Sequence, residues 1–168
     1  KKLEALGAEC FEIRQASDLE RPFDRLVLPG GESTTQAKLL HELGLMDPLR
    51  KRIEEGMPVL ATCAGLILLA ETVDGTGDLD NLNPAAAKNR LQVKGFGTMP
   101  ITVRRNAYGR QLGSFHACGS FGEMDNVPMT FIRAPYIEEA KAGTQVLAEV
   151  DGHIVAVRSG NQFGMSFH

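Results

Sequence analysis

Cys63 lies in Pro58-Val59-Leu60-Ala61-Thr62-Cys63-Ala64-Gly65-Leu66, a short apolar run that ends in a small-Cys-small turn and opens a helix. A thiol at such a turn is lifted above the end of a sheet, beside the partly positive start of the next helix, a setting that favours thiolate. The arrangement is that of a nucleophile elbow with cysteine in place of serine, and its chemistry is covalent attack on a carbonyl carbon. A cysteine after an apolar strand is otherwise a small buried hydrophobe. What converges on it decides between the two.

Three further segments can reach the same sheet end, where open α/β sheets place their ligands. In Pro29-Gly30-Gly31-Glu32-Ser33-Thr34-Thr35 paired glycines expose backbone N–H groups, and Ser33 reads as the N-cap of a helix whose start favours a carboxylate or an oxyanion. The Gly31 and Ala64 N–H groups would then point at one oxyanion position. Phe131-Ile132-Arg133-Ala134-Pro135-Tyr136 is a strand end carrying one arginine, with Arg105-Asn106 as a second source, and a guanidinium pairs with a substrate carboxylate in bidentate geometry. Ser166-Phe167-His168 places a histidine at the end of an apolar strand. A cysteine nucleophile needs a base. Of His41, His116, His153 and His168, the first lies within a helix and the third follows a hairpin turn, both exposed by expectation; His116 stays possible, and His168 is the best candidate.

These segments need an alternating framework to hold them. Residues 10–13 and 25–28 read as strands separated by a crossover, hence parallel. Residues 34–43 read as a helix with Leu39, Leu40 and Leu43 on one face and Gly44 as its stop. Asp47-Pro48 reads as the cap and first position of a helix to residue 55, with Leu49 and Ile53 inward and Gly56 closing it. The strand 59–62 and a helix from the Cys63 turn to about residue 70 complete a half that predicts α/β architecture with a largely parallel sheet. Residues 74–90 read as a long surface loop or flap. Beyond it, 101–103, 131–133, 146–150 and 154–157 are strand-like, with Asp151-Gly152 a hairpin turn, so the C-terminal third is expected to be β-rich.

The bulk properties narrow the class. A chain of 168 residues, 43% hydrophobic and 23% charged, suits one domain. A net charge of −3 without a Lys/Arg cluster gives no footprint for nucleic acid or an anionic membrane. Cys10, Cys63 and Cys118 form neither a paired framework nor metal-ligand spacing, which suits a reducing cytoplasm and predicts no metal. No apolar stretch approaches the ~20 residues of a membrane span. The opening Lys1-Lys2-Leu3-Glu4-Ala5-Leu6-Gly7 reads as the second half of an amphipathic helix, and both ends are expected to continue in a longer product.

Five motifs in order now carry a specific resemblance: Pro-Gly-Gly-Glu-Ser-Thr-Thr at 29–35, Thr-Cys-Ala-Gly-Leu-Ile at 62–67, Arg-Arg-Asn-Ala-Tyr-Gly-Arg-Gln at 104–111, Phe-Ile-Arg-Ala-Pro-Tyr-Ile-Glu-Glu at 131–139 and Ser-Phe-His at 166–168. Together they resemble the glutaminase subunits of pyridoxal 5′-phosphate synthase, within the class I (triad) glutamine amidotransferases. The resemblance implies a single three-layer, flavodoxin-like domain over residues 1–168, lacking the family's N-terminal strand and its C-terminal Pro-Glu and helix. It implies Cys63 as nucleophile and His168 as base. Gly31, Glu32, Ser33, Arg105, Ile132 and Arg133 match glutamine-binding positions, and Gly31 and Ala64 match oxyanion donors. It implies no cofactor, L-glutamine as substrate, and as partner a (β/α)₈-barrel synthase subunit in a large hetero-oligomer.

The chain departs from the family in three places. The Glu that orients the base would lie beyond His168. Gly113-Ser114-Phe115-His116 stands where Asp-Ser-Phe-Glu is usual, and 74–100 looks longer. Three alternatives stand beside this reading: the glutaminase of another amidotransferase, a cysteine hydrolase or peptidase on the same fold, and a binding subunit with an inert Cys63.

Overall fold

The apolar run before Cys63 is a strand with a parallel neighbour on either side. A computed structural model of the chain describes residues 2–74, 94–105 and 114–168. In chain order the elements are α1 (Lys2–Ala5), a 3₁₀ turn (Ala16–Glu20), β1 (Leu26–Leu28), α2 (Ser33–Glu42), α3 (Met46–Glu54), β2 (Val59–Thr62), α4 (Ala64–Leu69), β3 (Ala70–Asp74) and β4 (Met99–Arg104), followed by β5 (Ser114–Phe121), β6 (Met124–Ile132), β7 (Tyr136–Ala140), β8 (Thr144–Val150), β9 (His153–Ser159) and β10 (Gln162–Met165). An eight-stranded sheet runs β1-β2-β10-β9-β7-β4-β3, with β8 paired to β9, and β5 and β6 form a separate hairpin. β1, β2 and β10, which carry the site, run parallel, as do β3 and β4. The later strands β7, β8 and β9 join through antiparallel pairs, giving the expected β-rich C-terminal third. The fold is the α/β architecture read from the alternation of elements.

Two apolar clusters hold this arrangement. The larger joins β1, β2 and the inner faces of α2, α3 and α4 to β4, with Leu49, Ile53 and Leu66 buried in it. α4 contributes nearly every side chain, because a helix this short beneath three strand ends has no solvent face. The second cluster lies under the hairpin, where Phe131 stacks on Phe115 at 4.4 Å and meets Phe167 edge-on at 5.7 Å. Burying an aromatic side chain is worth about 3 kcal/mol, so this cluster fixes the hairpin and the residue before His168 to one another.

The structure corrects several expectations. Residues 10–13 form no strand: they run without ladder bonds and are held by side chains, with Phe11 edge-on to Phe23 at 5.9 Å and the Arg21 guanidinium 4.2 Å above Phe11. The cap of α2 is Glu32, not Ser33, and the helix turns Ser33 and Ala37 inward while Leu39 and Leu43 stay exposed. Ala37 is 2% exposed and joins the larger core cluster, so the small residues set the inward face. α3 starts one residue before Asp47, from Leu45, and buries Leu49 and Ile53 as expected. α1 ends as read, with Gly7 at φ +87°, yet buries nothing. β3, β5, β7 and the first part of β6 were not anticipated. Residue 74 ends β3, and residues 75–90 of the expected flap lie outside the described residues.

Candidate active site

The elbow is held by the two ladders of β2 and one glycine. β2 aligns Thr62 with Met165 of β10, and the Cys63 N–H then donates to the Met165 carbonyl at 2.8 Å. This pins the turn from one side. On the other, Gly65 lies so close to the end of β1 that a Cβ there would stand 2.2 Å from the Leu28 carbonyl oxygen. Between these supports Cys63 takes φ +50° and ψ −103°. Such a conformation costs a non-glycine residue about 1–3 kcal/mol and persists only where the surroundings over-determine it.

The thiol itself is buried and donates to the Ile132 carbonyl at 4.0 Å. Burial pushes its pKa above the ordinary value of 9.0, and the opposing Ala64 N–H does not offset this. Desolvation thus opposes the thiolate expected from the helix start, and outweighs a single amide at the mouth of a six-residue helix. Alkylation of Cys63 by iodoacetamide should therefore titrate at higher pH in the folded than in the urea-unfolded protein. A folded-state midpoint below the unfolded one would contradict it.

The histidine is placed by backbone rather than by its ring. Its N–H donates to the Thr130 carbonyl at 2.8 Å and its carbonyl accepts from Thr130 at 3.2 Å, so His168 extends the ladder onto β6 while Phe167 anchors in the second cluster. The imidazole rests on Gly30: a Cβ there would lie 2.2 Å from Cε1 and 3.1 Å from each ring nitrogen. Any side chain at residue 30 must displace the ring. Gly30→Ala should cut turnover by about 10²-fold, the usual penalty for an ångström of misplacement, with little change in melting temperature, because the far end of a side chain can swing away. Unchanged turnover would show that the ring does not need this seat.

Every residue singled out from the sequence lines one cavity of about 370 Å³: Cys63, His168, Gly31, Glu32, Ser33, Ala64, Arg105, Ile132 and Arg133. Ile67 and Pro135 join them unanticipated. Ile67 stands one helical turn beyond Cys63, and that spacing was available in the sequence. The other three histidines do not line it. His41 bonds the Lys94 carbonyl at 2.9 Å, His153 stacks on Tyr136 at 4.4 Å, and His116 bonds the Thr130 hydroxyl at 3.1 Å.

The polar wall has two layers of support. Glu32 spends its carboxylate on α2, accepting from the Thr34 amide at 3.0 Å and from the Thr35 amide and hydroxyl at 2.7 Å each. Partial burial raises its pKa, but the Thr35 hydroxyl and the two amides outweigh that and bring it down to about 2. The ionised cap favours the folded state above pH 4.5, and this contribution fades as pH falls towards 2. Arg105, just after β4, donates to the Ser33 hydroxyl at 2.5 Å and to the Thr34 hydroxyl at 3.2 Å. Ser33 therefore serves as an acceptor for Arg105 instead of as the cap. Arg133 leaves β6 at φ +43°, and this turn aims the Ile132 carbonyl at the thiol. Among the described residues no group of three or more His, Cys, Asp or Glu side chains is placed to hold a metal ion, and no helix is long and apolar enough to cross a membrane.

A cysteine elbow at the carboxyl ends of parallel strands, with a histidine three residues past the end of the neighbouring strand and two arginines lining the same cavity, fits the glutamine amidotransferase class. A crystal structure of a glutamine amidotransferase superposes with a TM-score of 0.83 at 36% identity, over 99% of this chain and 80% of that one. The chain belongs to the SNO glutamine amidotransferase family, whose sequence model matches residues 1–168. It is 53% identical to the pyridoxal 5′-phosphate synthase subunit PdxT of Desulfitobacterium hafniense (strain Y51), over all of this chain and 77% of that protein. It is 51% identical to the corresponding subunit of Methanocorpusculum labreanum, over all of this chain and 80% of that protein.

Proposed function

We propose that this protein hydrolyses the side-chain amide of L-glutamine and hands the ammonia to a synthase subunit that builds pyridoxal 5′-phosphate. The observation that carries the reading is the shared cavity of Cys63, His168 and the α2 entry segment, on a chain of this family. Because Cys63 rests as a thiol, His168 must take its proton as the sulfur attacks the amide carbon. The tetrahedral oxyanion falls to the Gly31 and Ala64 N–H groups. The imidazolium then protonates the departing amine, leaving a γ-glutamyl thioester and ammonia. Water, deprotonated by His168, releases glutamate and restores the thiol.

Arg133 and Arg105 receive the substrate's α-carboxylate, the second already held by Ser33 and Thr34. Arg133→Ala should raise KM for glutamine by about tenfold, the worth of a charge-assisted pair at a partly exposed site, with kcat nearly unchanged. A normal KM would remove Arg133 from the substrate site. An internal peptide bond offers no free carboxylate near the scissile amide, so the arginines favour glutamine over an endopeptidase substrate. The partner is a (β/α)₈-barrel synthase in a large cytoplasmic hetero-oligomer.

The test is glutamate release from glutamine with and without the synthase subunit. Release that rises on adding the synthase supports both substrate and partner; release from neither mixture overturns the reading.

A further inference from the structure

Gln36, in the first turns of α2, has no part in the scheme above, yet its amide is turned onto the two-glycine segment. Its Nε2 donates to the Pro29 and Gly30 carbonyls, each at 3.3 Å, and lies 2.9 Å from where a Cβ on Gly31 would stand. Two carbonyl oxygens call for a donor, which settles the amide's orientation. Its Oε1 is buried without a partner, so half of the group's hydrogen-bonding capacity is given up to hold the other half in place.

The consequence falls on one peptide. The Gly30 carbonyl and the Gly31 N–H belong to the same trans-planar unit and point in opposite directions. Gly31 lines the cavity and Gln36 lies outside its lining; a carbonyl drawn to Gln36 therefore leaves the N–H on the cavity side. Among the described residues, the Gln36 amide is the hydrogen-bond donor to the Gly30 carbonyl. Gly31 sits at φ +148°, and with glycine on both sides the peptide can rotate without side-chain hindrance.

We propose that Gln36 is a positioning residue, a latch that fixes the Gly30–Gly31 peptide with its N–H directed at the oxyanion. It acts through Gly31 and does not touch the substrate. The proposal rests on the glutaminase reading above.

The test uses Gln36→Met, which keeps length but removes the donor, and Gln36→Glu, which sets carboxylate oxygens against the two carbonyls, each in the complete protein with its synthase. A whole oxyanion donor is worth about 10²–10³ in kcat. Releasing its latch should cost at least about tenfold in kcat with KM within about twofold, and more for Glu than for Met. In ¹⁵N spectra of the isolated protein the Gly31 amide resonance should move in both variants. An unchanged kcat, a rise in KM alone, or an unmoved Gly31 amide overturns the latch. Should wild-type protein release no glutamate, the glutaminase reading fails, and the Gly31 amide still tests whether Gln36 sets the peptide.

Discussion

Cys63→Ala is expected to abolish glutamate release, lowering it by at least about 10⁴-fold to the background of amide hydrolysis, because no other group can form the thioester. Glutamine should still bind, since Gly31, Arg105 and Arg133 line the cavity independently of the sulfur. Synthesis of pyridoxal 5′-phosphate by the assembled complex should persist when free ammonium replaces glutamine. Measured together, these separate chemistry from architecture. Loss of the ammonium-supported reaction as well would make Cys63 a structural residue, and residual glutaminase above background would move the nucleophile elsewhere.

Gly65→Ala is expected to strike both stability and activity. The added methyl would meet the Leu28 carbonyl oxygen at 2.2 Å and its carbon and Cβ at 2.8 Å, and backbone cannot swing aside as the His168 ring can at Gly30. α4 must move away from β1, carrying Ala64 and Cys63 with it. Overpacking of this kind costs about 1–3 kcal/mol, which in a domain of this size lowers the melting temperature by about 3–10 °C. Turnover should fall by at least about 10²-fold. A melting temperature within 1 °C of wild type, read by circular dichroism or calorimetry, would show that the elbow has room that the structure denies it.

Features written in short local signals were legible before any coordinates. The Cys63 turn, the Leu49 and Ile53 face and the Asp151-Gly152 hairpin, whose residues sit at φ +51° and +77°, each depend on residues adjacent or one helical turn apart. So does the cavity wall, because each contributing residue stands at a strand end or a helix start. What escaped notice lacks punctuation or needs a distant partner. β3 follows α4 directly, with neither glycine nor proline between Leu69 and Ala70. β5 alternates inward Phe115, Ala117, Gly119 and Phe121 with outward Ser114, His116, Cys118 and Ser120, a period-two pattern too weakly apolar to stand out. The Glu32 cap was hidden by Ser33, a better capping residue by type; reach, not type, decided it. Residues 10–13 have strand-forming side chains but no ladder partner, and composition cannot reveal a missing neighbour.

The pairing of β2 with β10 makes the active site an all-or-none object. Cys63 and His168 follow adjacent strands whose alignment is counted in whole residues: Thr62 faces Met165, Cys63 comes one residue after the first and His168 three after the second. Strands do not slide by fractions; a slip of one residue would turn every side chain of β10 to the opposite face, carrying Gly164 away from Leu66 and breaking the bonds of the Gln162 amide to Thr98. Intermediate alignments of the two backbones that carry sulfur and imidazole are therefore not available to a folded molecule. On heating, turnover per folded molecule should hold steady while the number of such molecules declines, so inactivation and unfolding will trace a single curve.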